Sequence, residues 1–347
     1  MSTMKVFVTG ASGFIGTQLT PFLRYHGDSV VALSRSSAAD EKIRKASDVV
    51  PTKGLPPNGK RPEVGTVEIV RGDLTAEDVL KKGMQGCDVV IHAAAKIDGW
   101  GPYSDFQKIT VEGTRNTLAA ARAAGVAQFV FISSEAVLVK ADGSIGSVDE
   151  TTPVDPPPWA PYSRSKAEAE KLVLQANSPP DFETVVVRPR FVWGRGDSVM
   201  RPTLTQQFND GSWRWITPLA VSSTSHVINV CHALRLAAQA RGRGGQVYFV
   251  TDGPPRLLKD FLLQYVASQP GVKQPTATVP FWLLWYRESA LENVPLLGYG
   301  VTREPLIGRQ DLALIGRDVR IDDSKIRREL GYEPVVSVEE GVEDANA

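Results

Sequence analysis

The chain has 347 residues, 42% of them apolar, which is enough for one large α/β domain carrying a smaller second region around a full core. With 39 basic against 39 acidic residues the formal charge is zero, which excludes a global field that would draw the protein onto nucleic acid or an anionic membrane. A small-molecule partner is therefore expected. Cys87 and Cys231 lie far apart with no metal-type spacing and read as free thiols of a reducing, cytoplasmic setting. His226 and His232 have no third ligand at useful spacing, so they read as structural and no metal is expected. No apolar run reaches the roughly 20 residues that cross a bilayer. The nearest approach, Val279 to Trp285, is broken by Arg287 and Glu288, leaving peripheral membrane contact as its alternative to packing as core or lining a pocket.

In chain order, β-rich runs are expected at Lys5 to Thr9, Ser29 to Ser34, Val67 to Gly72, Val89 to His92, Phe129 to Ser133, Thr184 to Arg188 and Gln246 to Thr251. Most are nearly continuous in Val, Ile or Phe, as strands buried on both faces are. Helical spacing predicts helices over Gly16 to Tyr25, Ser104 to Ala124, Pro161 to Ala176 and Ile228 to Arg241. Residues 38 to 65, rich in Lys, Pro and Gly with little periodicity, read as a surface excursion. The alternation gives a doubly wound α/β fold with a parallel sheet. The expected division is a dinucleotide-binding domain at 1–194 plus 225–251 and a smaller substrate region at 195–224 plus 252–347.

Gly10-Ala11-Ser12-Gly13-Phe14-Ile15-Gly16 sits between the first strand and the first helix, where such glycines let the backbone approach a pyrophosphate at a helix N-terminus. At the end of the second strand, where an acidic residue would accept from the adenosine ribose, stand Ser34 and Arg35. Serine does not repel a 2′-phosphate and arginine can pair with one, so NADP(H) is favoured and NAD(H) is the alternative. Asp73-Leu74 and Ala93-Ala94-Ala95 follow the third and fourth strands, in place to touch adenine and ribose.

Tyr162 and Lys166, four apart on a predicted helix, share one face. A neighbouring ammonium favours phenolate, so Lys166 is expected to lower the Tyr162 pKa and make the phenol an acid-base group. Ser134, ending the fifth strand, can hold the same substrate oxygen, while strand alternation points Ser133 the other way. A Tyr-x-x-x-Lys pair alone is weak evidence; with the serine and the glycine loop it becomes a catalytic constellation.

With Thr9 to Gly16, Gly72-Asp73-Leu74, His92 to Ala95, Gly113-Thr114, Ser133-Ser134, Tyr162 to Lys166, Arg188-Pro189 and Val192-Trp193-Gly194, nearly the whole chain resembles the extended short-chain dehydrogenase/reductase family and its Rossmann fold. The resemblance implies Ser134 as substrate-orienting hydroxyl, Tyr162 as acid-base, and Lys166 as tuner of Tyr162 and ribose anchor. It also places Pro189 and Val192 along the nicotinamide, and His92 beside the cofactor. The run from His92 to Gly113, with Lys96 and Trp100 to Tyr103, looks most like the 3β-hydroxysteroid dehydrogenase-like branch. Two positions depart from the pattern. Thr110 stands where many members carry Asn, which puts an asparagine-assisted water relay in doubt, and Ser34-Arg35 replaces the usual acidic residue.

Trp213, Trp215, Phe281, Trp282, Trp285 and Tyr286 give the C-terminal region an aromatic bias that fits either core or an apolar pocket. The sequence thus predicts an NADP(H)-dependent oxidoreductase interconverting a secondary alcohol and a ketone on a largely apolar substrate: steroid-like, β-keto acid or aromatic carbonyl. One alternative is a nucleotide-sugar epimerase or dehydratase, for which Arg195, Arg201 and Arg303 are candidate diphosphate contacts; another is a non-catalytic redox sensor. Alanine-rich faces on the helices over 104–124 and 161–176, together with the resemblance, predict a homodimer.

Overall fold

The computed structural model describes residues 3–57, 62–97, 100–198, 200–293 and 307–346. Strands β1 (Lys5–Thr9), β2 (Ser29–Ser34), β3 (Val67–Arg71), β4 (Val89–His92), β5 (Gln128–Ile132), β6 (Glu183–Pro189) and β7 (Gln246–Val250) pair in parallel in the order β7-β6-β5-β4-β1-β2-β3. Strand register explains their composition. Val6, Val8, Val30, Val130, Val185 and Val187 face one core, while Phe7, Val31, Phe129, Phe131 and Val186 face the other.

Along the chain run helices α1 (Phe14–Tyr25), α2 (Ser37–Ser47), α3 (Glu77–Met84), α4 (Gly113–Ala123), α5 (Pro161–Gln175), α6 (Met200–Asp210), α7 (Val227–Gln239), α8 (Leu258–Tyr265), α9 (Phe281–Asn293) and α10 (Arg309–Ile315). Helices α1 and α7 cover the first face of the sheet through Leu19, Phe22, Leu23, Val230 and Leu234. On the second face α3, α4 and α5 pack through Leu80, Met84, Leu118, Ala121, Ala169 and Val173. Cys231 lies in the first core and Cys87 in the second, both as free thiols.

Strand order reverses at β1, which has β2 on one side and β4 on the other. Ligands of open α/β sheets bind in the crevice at the carboxyl ends of the strands at such a point. A smaller sheet, in the order Arg256–Leu257, Val221–Ser222, Val319–Ile321 and Gly146–Val148, lies outside this one and draws one strand from the segment between β5 and α5.

Three expectations need correction. Residues 38 to 65 are not wholly an excursion, because Ser36 accepts from the Ala39 N–H at 3.2 Å and caps α2. Only Ile43 and Ser47 of α2 are buried, too narrow a stripe to show as periodicity. The same holds for the unpredicted α3, which buries Leu80 and Met84 alone. The helix expected over 104–124 is broken into a short α-turn at Tyr103–Phe106, a π-helix at Gln107–Glu112 and then α4. Inside that widened turn the Thr110 carbonyl accepts from Thr114 Oγ1 at 2.6 Å, and Thr110 Oγ1 accepts from the Lys96 N–H at 3.0 Å.

The turn from β1 into α1 has no room to spare. A Cβ on Gly16 would lie 2.2 Å from the Gly10 oxygen and 2.6 Å from the Ala11 Cα, and Gly10 itself has φ +69°. Both clashes are with backbone. Gly16→Ala is therefore expected to destabilise the fold by about 1–3 kcal/mol and to weaken nucleotide binding, checked by calorimetric melting and by titration with NADPH.

Candidate active site

The chain leaves β5 at Ser133 and turns at Ser134, whose Oγ accepts from the Ala136 N–H at 3.2 Å to start the 3₁₀ turn Glu135–Leu138. Across from it α5 begins with Pro161, whose fixed φ suits a first helical position. The next N–H groups, on Tyr162 and Ser163, donate to Gln310 Oε1 at 3.1 and 3.4 Å. Gln310 belongs to α10, so the C-terminal region satisfies the orphan donors of the helix that carries Tyr162 and Lys166.

A cavity of about 360 Å³ lies between these elements. Ile15, Ala93, Ala95, Lys166, Pro189 and Val192 line one part of it, and Ser134, Glu135, Tyr162, Arg190, Gln310 and Leu314 another. Most residues expected at the cofactor and the reaction thus converge. A second cavity of about 590 Å³ adjoins it through the shared walls Phe191, Met200, Asp311 and Ile315. Its lining is mainly apolar, with Leu204, Trp213, Ile216, Leu262, Leu284 and Ile307. Phe191, at the join, has φ +47°, a left-handed conformation that a bulky side chain adopts only at a cost of order 1–3 kcal/mol. The aromatic bias divides accordingly. Trp213 lines the second cavity, Trp215 and Phe281 are buried, Trp285 packs edge-on against Trp159, and Trp282 and Tyr286 are exposed.

Burial governs the charges. Lys166 donates to the Ile132 carbonyl and stands 4.3 Å above the Phe131 ring. Desolvation pushes its pKa from the ordinary 10.5 down to about 7, against the pull of the Glu170 carboxylate. The Tyr162 phenol is pushed up to about 12, first by burial and then by the Glu135 carboxylate, with Ser134 opposing. This corrects the expectation that Lys166 depresses Tyr162. The ammonium is itself disfavoured in the same dry site and is turned to a backbone carbonyl.

Glu135 was not singled out from the sequence, although a carboxylate inside the apolar run 129–139 was a visible signal. Its Oε2 accepts from Ser134 Oγ at 2.7 Å, and its Oε1 accepts from Arg190 Nη1 at 2.6 Å. Both ion-pair side chains are nearly fully buried. Arg190 also donates to Ser222 Oγ at 3.1 Å and to the Leu314 carbonyl. Gln310 carried no signal at all, because its role depends on a fold contact 148 residues away in sequence.

His92 is buried and held by burial at a pKa of about 3, hence neutral. Thr114 Oγ1 gives its proton to the Thr110 carbonyl and so accepts from His92 Nε2 at 3.0 Å, leaving Nδ1 to accept from Thr9 Oγ1 at 2.7 Å. Thr9 Oγ1 in turn accepts from the Ala93 and Ala94 N–H groups, each at 3.2 Å. His92 thereby fixes the Ala93–Ala95 segment against Gly10, where a Cβ would come within 2.9 Å of the Ala93 carbonyl carbon.

The residues fit a dinucleotide. Gly13, exposed, caps α1 with no side-chain bond, and a Cβ there would fill the space before the helix N-terminus. Ser12 and Phe14 flank it in the same turn, and the buried Ser133 Oγ on the cavity wall has no protein partner. Further along the carboxyl edge Ser34 is buried, its hydroxyl donating to the Ser36 carbonyl at 3.2 Å, and Arg35 is exposed. Arg71, from the end of β3, stands 3.4 Å from Ser37 Oγ and pairs with Asp40. Asp73 Oδ1 accepts from the Thr75 N–H and hydroxyl at 2.8 and 2.6 Å, which turns the chain into Leu74 and α3. Of the candidate diphosphate contacts, Arg195 pairs with Asp344 at 3.6 Å and Arg201 is held by Tyr265, Ala345 and Asn346; Arg303 lies outside the described residues.

A model of the 3-beta hydroxysteroid dehydrogenase/isomerase family matches residues 7–281. The chain is 40% identical to a 4-hydroxy-2-methyl-3-oxo-4-farnesyl-3,4-dihydroquinoline-1-oxide ketoreductase of Stigmatella aurantiaca, over 98% of this chain and 95% of that one. It is 29% identical to a 2-alkyl-3-oxoalkanoate reductase of Stenotrophomonas maltophilia, over 98% and 97%. Among solved structures, MoeE5 in complex with UDP-glucuronic acid and NAD superimposes with a TM-score of 0.70 at 23% identity, over 98% of this chain and 97% of that one, a likeness of fold.

Burial of Lys166 has a consequence for the nucleotide-free protein. The unfolded chain keeps this proton to about pH 10.4, whereas the folded one releases it near 7. Between pH 7 and 9 the unfolded state thus binds more protons, and the lysine contributes a stability that rises with pH; below pH 7 its cost is constant. Lys166→Met should flatten the wild-type rise in melting temperature between pH 7 and 9, and equal slopes in the two proteins would contradict it.

Proposed function

The chain belongs to the 3-beta hydroxysteroid dehydrogenase/isomerase family of extended short-chain dehydrogenase/reductases, and from that premise we propose that it is an NADP(H)-dependent reductase of a ketone on a largely apolar substrate. The observation that carries the reading is the single cavity shared by Ser134, Tyr162 and Lys166 with an apolar cavity directly beyond it. When bound, reduced nicotinamide supplies the hydride that converts C=O to CH–OH. Tyr162, protonated because burial and Glu135 disfavour its phenolate, gives its proton to the developing alkoxide oxygen. Lys166 and the walls Pro189 and Val192 hold the nucleotide end, and Ser134 meets the substrate oxygen.

Two relatives of similar length are reductases of keto groups by name, and both substrates carry an apolar chain. That supports a body of the same character in the cavity walled by Leu204, Ile216, Leu262 and Leu284. A nucleotide-sugar reading needs a cationic clamp for the diphosphate, and Arg195 and Arg201 are instead engaged with the C-terminal segment.

Tyr162→Phe removes the proton donor and little else. Ketone reduction should fall by about 10²-fold or more while NADPH affinity stays within a few-fold; wild-type turnover in the variant would overturn the assignment.

The NADP(H) preference rests on the turn from β2 to α2, where Arg35 is exposed, Ser36 and Ser37 open the helix, and Arg71 stands alongside. No carboxylate at position 34 or 35 repels a 2′-phosphate, and Asp40 is neutralised by Arg71. A charge-assisted contact from Arg35 is worth about 1 to 3 kcal/mol, or roughly tenfold and more in affinity. Arg35→Ala should erase most of the ratio of NADPH to NADH affinity measured by titration. Equal affinities in the unaltered protein would mean that Arg35 takes no part.

A further inference from the structure

Ser134 is fully engaged before any substrate arrives. Its hydroxyl has one proton, which goes to Glu135 Oε2 at 2.7 Å, and one lone pair already accepts from the Ala136 N–H at 3.2 Å. What remains is a single acceptor position. The carboxylate that takes the proton cannot turn away, because its other oxygen is bound to Arg190 at 2.6 Å and Arg190 is anchored in turn on Ser222 and the Leu314 carbonyl.

We propose that Glu135 is a positioning residue for the reductase reaction: by holding the only proton of Ser134 it presents that serine as a hydrogen-bond acceptor and leaves Tyr162 as the sole proton donor to the substrate oxygen. The inference rests on the reductase reading above. It differs from the serine role implied by the family resemblance, in which the hydroxyl points its proton at the substrate.

The geometry favours one direction of reaction. Tyr162 delivers a proton in ketone reduction and must be neutral to do so, and a carboxylate anchored beside it works against phenolate. The charged groups on the cavity wall are Glu135 from the turn after β5, Lys166 from α5, Arg190 after β6 and Asp311 from α10. Arg190 is matched to Glu135. Lys166 is turned to the Ile132 carbonyl, so Glu135 is the charge through which the phenol is tuned on its serine side.

The test is the pH dependence of kcat/KM for NADPH-driven reduction of an aromatic ketone by the intact protein. In Glu135→Gln the amide keeps the shape and loses the charge. Its alkaline limb should fall by about one pH unit or more relative to wild type, and the kcat ratio of reduction to alcohol oxidation should shift toward oxidation. Glu135→Asp keeps the charge on Arg190 but withdraws the oxygen from Ser134, so it should hold the wild-type limb while lowering kcat. If Glu135→Gln does not fold, a double-mutant cycle between Ser134→Ala and Glu135→Asp decides: coupling supports the proposal, and additive losses overturn it. A folded Glu135→Gln with an unmoved limb and unchanged direction ratio also overturns it. The reductase reading fails separately, if Tyr162→Phe keeps wild-type turnover.

Discussion

Arg190 and Glu135 form an ion pair with almost no solvent contact, and the pair lies where the end of β6, the turn after β5 and α10 meet. Such a pair contributes little net stability, since removing two charges from water costs about what their attraction returns. Breaking it is another matter, because the survivor would be a buried, uncompensated charge costing about 3–5 kcal/mol. The consequence is geometric. Arg190 can be satisfied only if Ser222 and Leu314 are in place, so the C-terminal region must close over the sheet before the site is complete. Gln310 adds a second tie of the same kind, from α10 to the N-terminus of α5.

The same exclusion of water sets the chemistry. An ammonium beside a phenol lowers the phenol's pKa only to the extent that both are permitted to ionise, and here desolvation opposes both. Tyr162 is consequently a proton donor by default and Lys166 a weak acid poised near neutrality. Glu170, pulling the Lys166 proton back, is itself matched by the buried Arg188 through an ion pair, so the charge of the sheet interior is balanced pair by pair. Asp28 with Arg235 is the third example.

Much of this was legible in the sequence where one local rule decided the outcome. β1, β2 and β4 fall on the expected residues because each is a short, nearly continuous apolar run bounded by turn residues. The glycine loop was legible because the spacing of Gly10, Gly13 and Gly16 encodes a steric demand, and the structure shows that demand as backbone within 2.2 Å of a hypothetical Cβ. Helices α2 and α3 were not, since each buries two residues and leaves the rest to water. The π-turn at Gln107–Glu112 was hidden for a different reason. Its cause is a tertiary bond from Lys96 to Thr110, which helical periodicity does not register. The direction of the Tyr162 shift was misread because spacing gives proximity but not dielectric, and burial was the larger influence.

Thr110 shows how a departure from a family pattern can be structural rather than catalytic. Its side chain holds the backbone of Lys96, its carbonyl takes the Thr114 proton, and Thr114 then fixes the tautomer of His92. Through Thr9 that chain ends on the amides of Ala93 and Ala94, the segment packed on Gly10. A run of neutral hydrogen bonds thus carries positional information from the π-turn to the glycine loop across β4 and β1. None of its members ionises near neutral pH, His92 least of all with its pKa near 3. The cofactor end of the crevice is accordingly positioned by neutral bonds, and the reacting end by paired charges. A change of pH therefore acts on Tyr162 and Lys166 while leaving the Ala93–Ala95 wall where it is.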